Sequence, residues 1–334
     1  MTTTTEQTAL RQMIDGYRIS KIICVAAELG LADQLASGPK HYAELAAASG
    51  TNAQALYRLL RALSSAGVFE QIGEQRFALN PRGALLRKDA PGSLRAWAVF
   101  SSRMYRSWAE LGHSIATGET AFDHLHGMDV WTYREQHRDE GRVFNDAMSA
   151  HVAFVAQAIA TAYDFSRFAT IVDVGGGQGV LLAAILQANP RVRGILFDVP
   201  GAIREARSLF EPAGLAARCR LAEGSFFESV PGDGDAYILS RVLHDWNDDQ
   251  VAKILKTMRR SMNDKATLLI VERALEQQHP ALDATLSDLN MMVQNGGRER
   301  TTAEFDELLT TGSFKLTRSI PGPLPFQILE AVAA

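Results

Sequence analysis

A glycine-rich segment between a predicted strand and a predicted helix constrains the fold of this 334-residue chain more than any other feature. Residues 173–179 read Asp-Val-Gly-Gly-Gly-Gln-Gly, between the apolar runs 170–172 and 180–186. Glycines at such a turn let the backbone approach a ligand closely. The next predicted strand, 194–198, ends in Asp198, where a carboxylate can accept hydrogen bonds from both ribose hydroxyls. Together the two features predict an adenosine-bearing cofactor in an α/β fold.

The glycine spacing distinguishes between cofactors. A dinucleotide fingerprint, G-x-G-x-x-G, needs its third glycine at position 180, which is Val180. The third glycine is Gly179, one residue early, so the turn does not present a helix N-terminus to a pyrophosphate in the dinucleotide manner. S-adenosylmethionine has no pyrophosphate and is the favoured cofactor. The alternative is a glycine turn without a ligand, and Asp198 argues against it.

Three further titratable residues follow predicted strands or turns of the same half. The apolar strand 238–243 leads to His244, and the strand 267–271 leads to Glu272. Glu299 lies in the Gly-rich turn 295–301, before a helix. Ligands gather at the carboxyl edge of open α/β sheets, so one histidine and two glutamates are expected to converge there.

Five segments in fixed order extend this pattern: 173–179, 198–200 (Asp-Val-Pro), 224–227 (Gly-Ser-Phe-Phe), 243–246 (Leu-His-Asp-Trp) and 296–301 (Gly-Gly-Arg-Glu-Arg-Thr). With them the chain resembles the plant-type small-molecule O-methyltransferases, the caffeic acid and hydroxyneurine class. It is most similar to their bacterial relatives that modify secondary metabolites. The family resemblance that the five segments mark covers nearly the whole chain. The resemblance implies a class I methyltransferase fold, with a doubly wound and mostly parallel sheet, and S-adenosyl-L-methionine as cofactor.

The resemblance also implies roles for individual residues. His244 matches the family's general base, and Glu272 and Glu299 match the acids beside it. The implied cofactor shell is Gly175, Asp198, Ser225, Phe226, Ser240 and Arg241. The implied acceptor pocket has Phe144, Met148 and His151 on one wall and Met291, Met292 and Asn295 on the other. Ser225 departs from the family pattern, which usually has an Asp that reaches towards the adenine; a serine is shorter and uncharged.

The proposed reaction needs a base, because a phenol with a pKa of about 10 is a poor nucleophile until its proton is removed. An imidazole with an ordinary pKa near 6.5 is mostly neutral at cytoplasmic pH and can accept that proton. Its other N–H can be held by a carboxylate, and either Glu299 or Glu272 is expected to do so.

The chain length and its 46% apolar content predict two domains with sizeable cores. Residues 1–92 are expected to form a winged-helix domain, with two helices between Leu10 and Leu35, a helix-turn-helix over 42–63 and a hairpin around Gly73. In the resembled family this module forms the dimer. Residues 93–165 are expected to be a helical connector that contributes to the acceptor pocket, and 166–334 the methyltransferase domain.

A ligand-responsive DNA-binding regulator is the alternative from another class, because a winged helix can enter the major groove. Basic and acidic residues balance through Asn80, and the net charge of the chain is −4, which opposes nucleic-acid binding. Within the methyltransferase fold, N-methylation or a non-methylating reaction with bound cofactor remains possible. The sequence does not identify the acceptor beyond a small aromatic molecule.

The remaining features predict a cytoplasmic protein without a metal. Cys24 and Cys219 are expected to be buried thiols, and neither an export signal nor a membrane-spanning run of about 20 apolar residues is found. The acids Asp245, Asp248 and Asp249 are interpreted as belonging to the start of the following helix, which Asn247 or Asp248 caps. His124 and His126 lack further ligands at zinc spacing.

Overall fold

The computed structural model describes residues 2–273, 275, 281–322 and 325–334, which form two compact units, Met1–Tyr105 and Arg106–Ala334. This division does not test the domain boundaries that the sequence predicts after residues 92 and 165, so both boundaries stay predictions. No helix in the described ranges is long and apolar enough to cross a membrane.

The first unit contains six helices of the described chain, one of which continues past its end, and a small antiparallel sheet in the strand order β1-β3-β2. The helices are α1 (Thr2–Glu28), α2 (Leu31–Gln34), α3 (Tyr42–Ser49), α4 (Ala53–Ser65), α5 (Pro81–Ala84) and α6 (Arg95–Ala109); the strands are β1 (Lys40–His41), β2 (Phe69–Ile72) and β3 (Arg76–Leu79). Gly30 separates α1 from α2 with φ of 62°, and Asn52 caps α4. The predicted helices and the hairpin are therefore confirmed, while the winged-helix assignment stays an interpretation. Cys24 is a buried free thiol, as is Cys219 in the second unit.

The second unit is built on a seven-stranded sheet in the order β6-β5-β4-β7-β8-β10-β9. Its strands are β4 (Thr170–Val174), β5 (Arg193–Asp198), β6 (Cys219–Glu223), β7 (Ala236–Ser240), β8 (Thr267–Arg273), β9 (Phe314–Pro321) and β10 (Phe326–Ala333). Its helices are α7 (Leu111–Thr117), α8 (Ala121–His126), α9 (Val130–Gln136), α10 (Arg138–Ala162), α11 (Val180–Ala188), α12 (Pro200–Phe210), α13 (Asp248–Ser261), α14 (Leu282–Gln294) and α15 (Thr302–Thr311). Strands β6, β5, β4, β7 and β8 are parallel to one another, and β10 runs antiparallel to both of its neighbours, β8 and β9. This is the class I methyltransferase fold that the sequence predicts.

The alternating direction of side chains along the strands explains why helices cover both faces of this sheet. Ile171 of β4 packs in one apolar cluster with residues of α10 and α11, whereas Val172 and Val174 pack in the other with residues of β7 and α13. Successive side chains of a strand point to opposite faces, so a strand that is apolar throughout is buried on both. The sheet is thus a rigid platform for the residues at its carboxyl edge.

The topology brings the predicted site residues to one edge. Strand β4 pairs with β5 on one side and β7 on the other, and β7 pairs with β8. The glycine turn follows β4, Asp198 ends β5, and Ser240 ends β7, so they follow adjacent parallel strands. The strand order reverses at β4, which is where ligands bind in open α/β sheets.

Candidate active site

The glycine turn is tightly packed at Gly175 and open at Gly177. Gly175 and Gly177 have φ of 70° and 59°, which side chains with a Cβ rarely adopt. A Cβ at Gly175 would lie 2.8 Å from Cγ2 of Val242, whereas one at Gly177 would meet nothing within 4 Å. The turn therefore presses against the segment that leads to His244, and its backbone faces open space at Gly177.

Asp198 is bound to the same turn. Its Oδ2 accepts a hydrogen bond from the Gly177 N–H at 2.7 Å, and its Oδ1 accepts one from the Val199 N–H at 2.6 Å. Burial raises the pKa of Asp198, and these two N–H donors partly offset that effect. The carboxylate is thus fixed beside the glycines, where the sequence predicts a ribose.

Asp173 lies under the turn. It is 1% exposed, and its Oδ1 has no hydrogen-bond partner among the described residues. Burial, with a smaller contribution from Asp198, raises the pKa of Asp173 to about 7. A buried acceptor without a partner fits a site that receives a polar or cationic group from a ligand.

Phe226 and Ser225 lie on the neighbouring side of the turn. The Phe226 ring is 3.5 Å from the position of a Cβ at Gly175 and contacts the rings of Phe227 and Trp246, at centroid distances of 5.0 and 5.9 Å. The Ser225 Oγ accepts a hydrogen bond from the Phe227 N–H at 3.3 Å. Phe226, one of the predicted cofactor residues, therefore lies against the glycine turn, and Ser225 precedes it in the chain.

His244 is buried in a short 3₁₀ turn, Leu243–Asp245, that follows β7. Its Nδ1 lies 3.1 Å from Oε1 of Glu299 and 3.8 Å from Oε2 of Glu272. Its Nε2 lies 3.6 Å from Oδ1 of Asp245. The structure thus brings together the histidine and both glutamates that the sequence singles out.

The two glutamates make different contacts. Glu299 is within hydrogen-bond distance of the imidazole, and its Oε1 also accepts a hydrogen bond from the Ser287 hydroxyl at 2.6 Å. Glu272 accepts hydrogen bonds through Oε1 from the N–H groups of Val242, Leu243 and His244, at 3.0, 2.9 and 3.4 Å. Of the two acids considered for holding the imidazole, Glu299 has the required geometry, while Glu272 binds the backbone of the turn.

The electrostatics differ from the sequence-based expectation of an ordinary imidazole. Burial alone would lower the pKa of His244, but the carboxylates of Glu272, Asp245 and Glu299 outweigh it and raise that pKa to about 9. Burial raises the pKa of Glu272 to about 7. Burial would also raise the pKa of Glu299, but the hydrogen bond from His244 lowers it. The expectation of a mostly neutral imidazole at neutral pH is therefore wrong, because three acids surround the ring.

Phe144, Met148 and His151 all lie on α10; Phe144 contacts Arg134, Met148 contacts Arg241, and the His151 ring contacts that of Phe326. The guanidinium of Arg134 lies 3.7 Å from the centroid of the Phe144 ring, and Arg241 lies 3.7 Å through Nη2 from Sδ of Met148. Burial and the charges of Arg241, Arg273 and His244 lower the pKa of His151 to about 4. Arg241 enters the His244 turn with φ of 56°, an uncommon conformation outside glycine.

On α14 and the residue after it, Met291 is buried and Met292 half-buried. The Asn295 side chain donates to the carboxylate of Asp245, and its Nδ2 lies 3.8 Å from Sδ of Met291. The interpretation of Asp245 as part of the helix start is therefore wrong: this acid lies beside Nε2 of His244. Asn247 caps α13, and Asp248 and Asp249 are in its first turn as expected.

Sequence reasoning missed several supporting residues. Ser287 and Asp288 fix Glu299 from α14, a helix that the sequence pattern did not predict; Asp288 accepts the Glu299 N–H at 2.9 Å. Trp131 and Trp246 stack with centroids 5.6 Å apart. Arg300 is fully buried beside the His244 turn. Trp246 and Arg300 lie in segments that the sequence singles out, 243–246 and 296–301, whereas no sequence motif pointed to Ser287 or Asp288.

A glycine turn after the central strand, an acid on the next strand and a buried histidine at the same sheet edge define an S-adenosylmethionine-dependent methyltransferase. The family comparison agrees. An O-methyltransferase domain model matches residues 108–315, and an O-methyltransferase dimerisation domain model matches residues 11–89. The chain belongs to this O-methyltransferase family, and S-adenosyl-L-methionine is its methyl donor.

Individual relatives span nearly the whole chain. Phenazine O-methyltransferase PhzM of Lysobacter antibioticus is 42% identical over 323 residues, which cover 96% of this chain and 95% of that protein. A phenazine-1-carboxylate N-methyltransferase of Pseudomonas aeruginosa is 33% identical, and the match covers 97% of each chain.

Among solved structures, the crystal structure of LaPhzM has a TM-score of 0.96 and 42% identity, covering 98% of this chain and 99% of that one. The O-methyltransferase NcsB1 from neocarzinostatin biosynthesis, in complex with S-adenosyl-L-homocysteine and 1,4-dihydroxy-2-naphthoic acid, has a TM-score of 0.83 and 33% identity, covering 94% and 96%.

Proposed function

We propose that this enzyme methylates a hydroxyl group of a small planar aromatic secondary metabolite, with His244 as the general base. The observation that carries the proposal is the buried imidazole of His244, held at Nδ1 by Glu299 beside the glycine turn. Relatives named for phenazine and naphthoate chemistry support an aromatic acceptor. The ring-rich surroundings of Trp131, Phe144 and Trp246 support a planar one.

The cofactor residues follow from the geometry of the turn. Bound S-adenosylmethionine supplies a methyl group activated by its sulfonium. We expect Asp198 to accept hydrogen bonds from the ribose hydroxyls, and Phe226 and Ser225 to contact the adenine. Ser240 ends the neighbouring strand β7, Arg241 follows it directly, and the two residues complete the proposed shell. Ser225, in place of the usual Asp, offers a hydroxyl without charge.

Proton removal is assigned to Nε2 of His244. The Nδ1–H donates to Glu299, which leaves Nε2 as the acceptor nitrogen. A pKa of about 9 is closer to that of a phenol, about 10, than an ordinary imidazole would be. The proton transfer from the phenol to His244 is then uphill by about 1 kcal/mol instead of about 5 kcal/mol. Holding the acceptor oxygen in line with the methyl group supplies the remaining rate enhancement.

The pH dependence of kcat/KM follows from this pairing. In the reactive complex, His244 and the acceptor hydroxyl together hold one of the two protons that they can bind. Activity is therefore lost at low pH, where both groups are protonated, and at high pH, where both are deprotonated. For a simple phenol, kcat/KM should rise about tenfold per pH unit up to a pH of about 9, the pKa of His244. Initial rates across buffered pH check this, and a profile that is flat from pH 7 to 9 would contradict it.

Glu299→Gln provides the control for the pH profile. It removes a carboxylate that raises the pKa of His244, so the rising limb should move to lower pH. An acceptor whose hydroxyl has a lower pKa than His244 should likewise move the pH optimum of kcat/KM downward, to a pH between the pKa of the hydroxyl and that of His244.

Methyl transfer itself is tested with isotopically labelled cofactor and a panel of phenols, flavonoids, anthraquinones and hydroxyphenazines. The proposal expects label in an O-methylated product of at least one aromatic acceptor. Retention of all label in the cofactor, with conversion of an acceptor by another route, would indicate a non-methylating enzyme instead.

N-methylation of a heteroaromatic ring is the second candidate, and the similarity to a phenazine-1-carboxylate N-methyltransferase favours it. A ring nitrogen with a lone pair loses no proton on methylation, so a base is less needed. Transfer to such a nitrogen that is unaffected by His244→Ala would support this candidate over O-methylation.

A metal-assisted reaction is the main mechanistic alternative. The donor atoms of His244, Glu272 and Glu299 lie within 4.8 Å of one another, close enough to hold a cation. The hydrogen bonds of Glu272 to three backbone N–H groups and of Glu299 to Ser287 account for these acids without a metal. We expect full activity after dialysis against a strong chelator; a loss that added Mg²⁺ or Zn²⁺ restores would contradict the base mechanism.

The protein is further proposed to act as a homodimer in the cytoplasm, without binding nucleic acid. The match of residues 11–89 to a dimerisation domain supports the dimer. The exposed apolar side chains of α1 support it as well: Leu10, Met13, Ile14, Tyr17 and Ile19.

A further inference from the structure

We infer that Arg300 is a positioning residue for His244, acting through the backbone of the catalytic turn. The inference rests on the proposed base role of His244. Arg300 is 0% exposed and is the largest fully buried side chain among the described residues. Its Nη1 donates to the Leu243 carbonyl at 2.9 Å, and its Nη2 donates to the Trp246 carbonyl at 2.7 Å. These two carbonyls flank His244 and Asp245 in the chain.

Glu272 binds the same turn from its N–H side. It accepts the N–H groups of Val242, Leu243 and His244, while Arg300 donates to the carbonyls of Leu243 and Trp246. The buried side chains of Glu272 and Arg300 thus hold one short segment by its backbone. The segment needs such support because Arg241 enters it with φ of 56°, a conformation that residues with a Cβ disfavour.

Gly297 shows that the loop of Arg300 packs directly on this turn. A Cβ at Gly297 would lie 2.1 Å from the His244 carbonyl oxygen and 2.5 Å from the carbonyl carbon of Asp245. Only a glycine allows this approach. Residues 297–300 therefore contact the turn through Gly297, the imidazole through Glu299 and the flanking carbonyls through Arg300.

The charge of Arg300 is compensated at its outer end. The carboxylate of Asp248 accepts from its Nε at 3.0 Å and its Nη2 at 2.7 Å. The Asp248 side chain is about half exposed, so the ion pair is partly screened, whereas the contact to the Leu243 carbonyl is buried and the contact to the Trp246 carbonyl is partly buried. Arginine suits this place because its planar fork can donate to two carbonyls and one carboxylate together, which a lysine ammonium cannot do with the same geometry.

Arg300→Lys tests the inference. We expect kcat to fall by roughly tenfold or more, because small displacements of a base reduce turnover strongly, while the Kd for S-adenosylhomocysteine stays near the wild-type value. Arg220→Lys is the matched control: Arg220 pairs with Asp233 at the surface and has no proposed part in the site, so it should leave kcat within about twofold.

A double-mutant cycle separates positioning from general destabilisation. If Arg300 acts through His244, Arg300→Lys should reduce kcat by less than about twofold in a His244→Ala background, where no imidazole remains to be placed. An equal reduction in both backgrounds, or wild-type kcat in Arg300→Lys, would overturn the inference. Near-full turnover of His244→Ala alone would instead overturn the proposed base, so the two failures are distinguishable.

Circular dichroism and cofactor binding show whether Arg300→Lys folds. If it does not fold, Asp248→Asn is used to test the same inference. The change loosens the outer contact of Arg300 at a half-exposed position. We expect kcat to fall by about threefold in the wild-type background and to stay unchanged in His244→Ala. Equal effects in both backgrounds, or no effect on kcat in either, would again contradict the positioning role.

Discussion

Replacement of His244 by Ala is expected to lower kcat for methyl transfer to a phenolic acceptor by about 10²–10⁴, the usual contribution of a general base. The imidazole is buried, its Nδ1 is held by Glu299, and no other described side chain is assigned to the acceptor proton. Cofactor affinity should remain within about twofold, because the proposed cofactor contacts lie on the glycine turn, Asp198, Phe226 and the end of β7. Single-turnover rates and calorimetric titration with S-adenosylhomocysteine measure the two quantities separately.

His124→Ala is the control for this experiment. His124 is exposed on α8, where it stacks on His113, and it has no proposed part in the reaction. It should retain the wild-type rate. Turnover near wild type in His244→Ala would remove the histidine from the mechanism, whatever the control shows.

Replacement of Asp198 by Ala is expected to raise the Kd for S-adenosylhomocysteine by roughly 100-fold or more. Hydrogen bonds to a charged group contribute about 1.5–3 kcal/mol each, and the change removes those proposed to the ribose. It also releases the Gly177 N–H, which Asp198 accepts at 2.7 Å, so the glycine turn loses an anchor. At saturating cofactor the methyl-transfer rate should recover most of its wild-type value, because the base is untouched.

Two variants separate the causes of that loss. Asp198→Asn keeps an oxygen acceptor for one backbone N–H and should bind the cofactor better than the alanine variant. Asp233→Ala removes an exposed acid that pairs with Arg220 on the surface and should leave affinity unchanged. A Kd for Asp198→Ala equal to that of Asp233→Ala would place the ribose elsewhere.

The fold could be predicted from the sequence because its signals are local and repeated. Apolar runs alternate with helical spacing after residue 166, and the glycine turn and Asp198 lie directly at strand ends, where topology fixes their position. The helix α14 was missed; its sequence, LDATLSDLNMMVQ, has only a short apolar run near its end. This segment forms a helix because of its packing in the second unit, and the spacing of apolar residues in the sequence does not reveal that packing.

The sequence predicts which residues belong to the candidate site, but it does not predict what each of them contacts or does there. His244, Glu272 and Glu299 could be named because each follows a strand or Gly-rich turn. The different contacts of the two glutamates, the position of Asp245 beside Nε2 and the raised pKa of His244 depend on distances between segments far apart in the chain. Arg300 illustrates the limit well, since a buried arginine between two backbone carbonyls has no local sequence signature.

The most direct measurement is a crystal structure of the protein with S-adenosyl-L-methionine bound. The account predicts the ribose hydroxyls on Asp198, the donor along the turn of Gly175 and Gly177, and its methyl group facing Nε2 of His244. Donor density away from Gly175 and Asp198, or a methyl group directed away from His244, would contradict it.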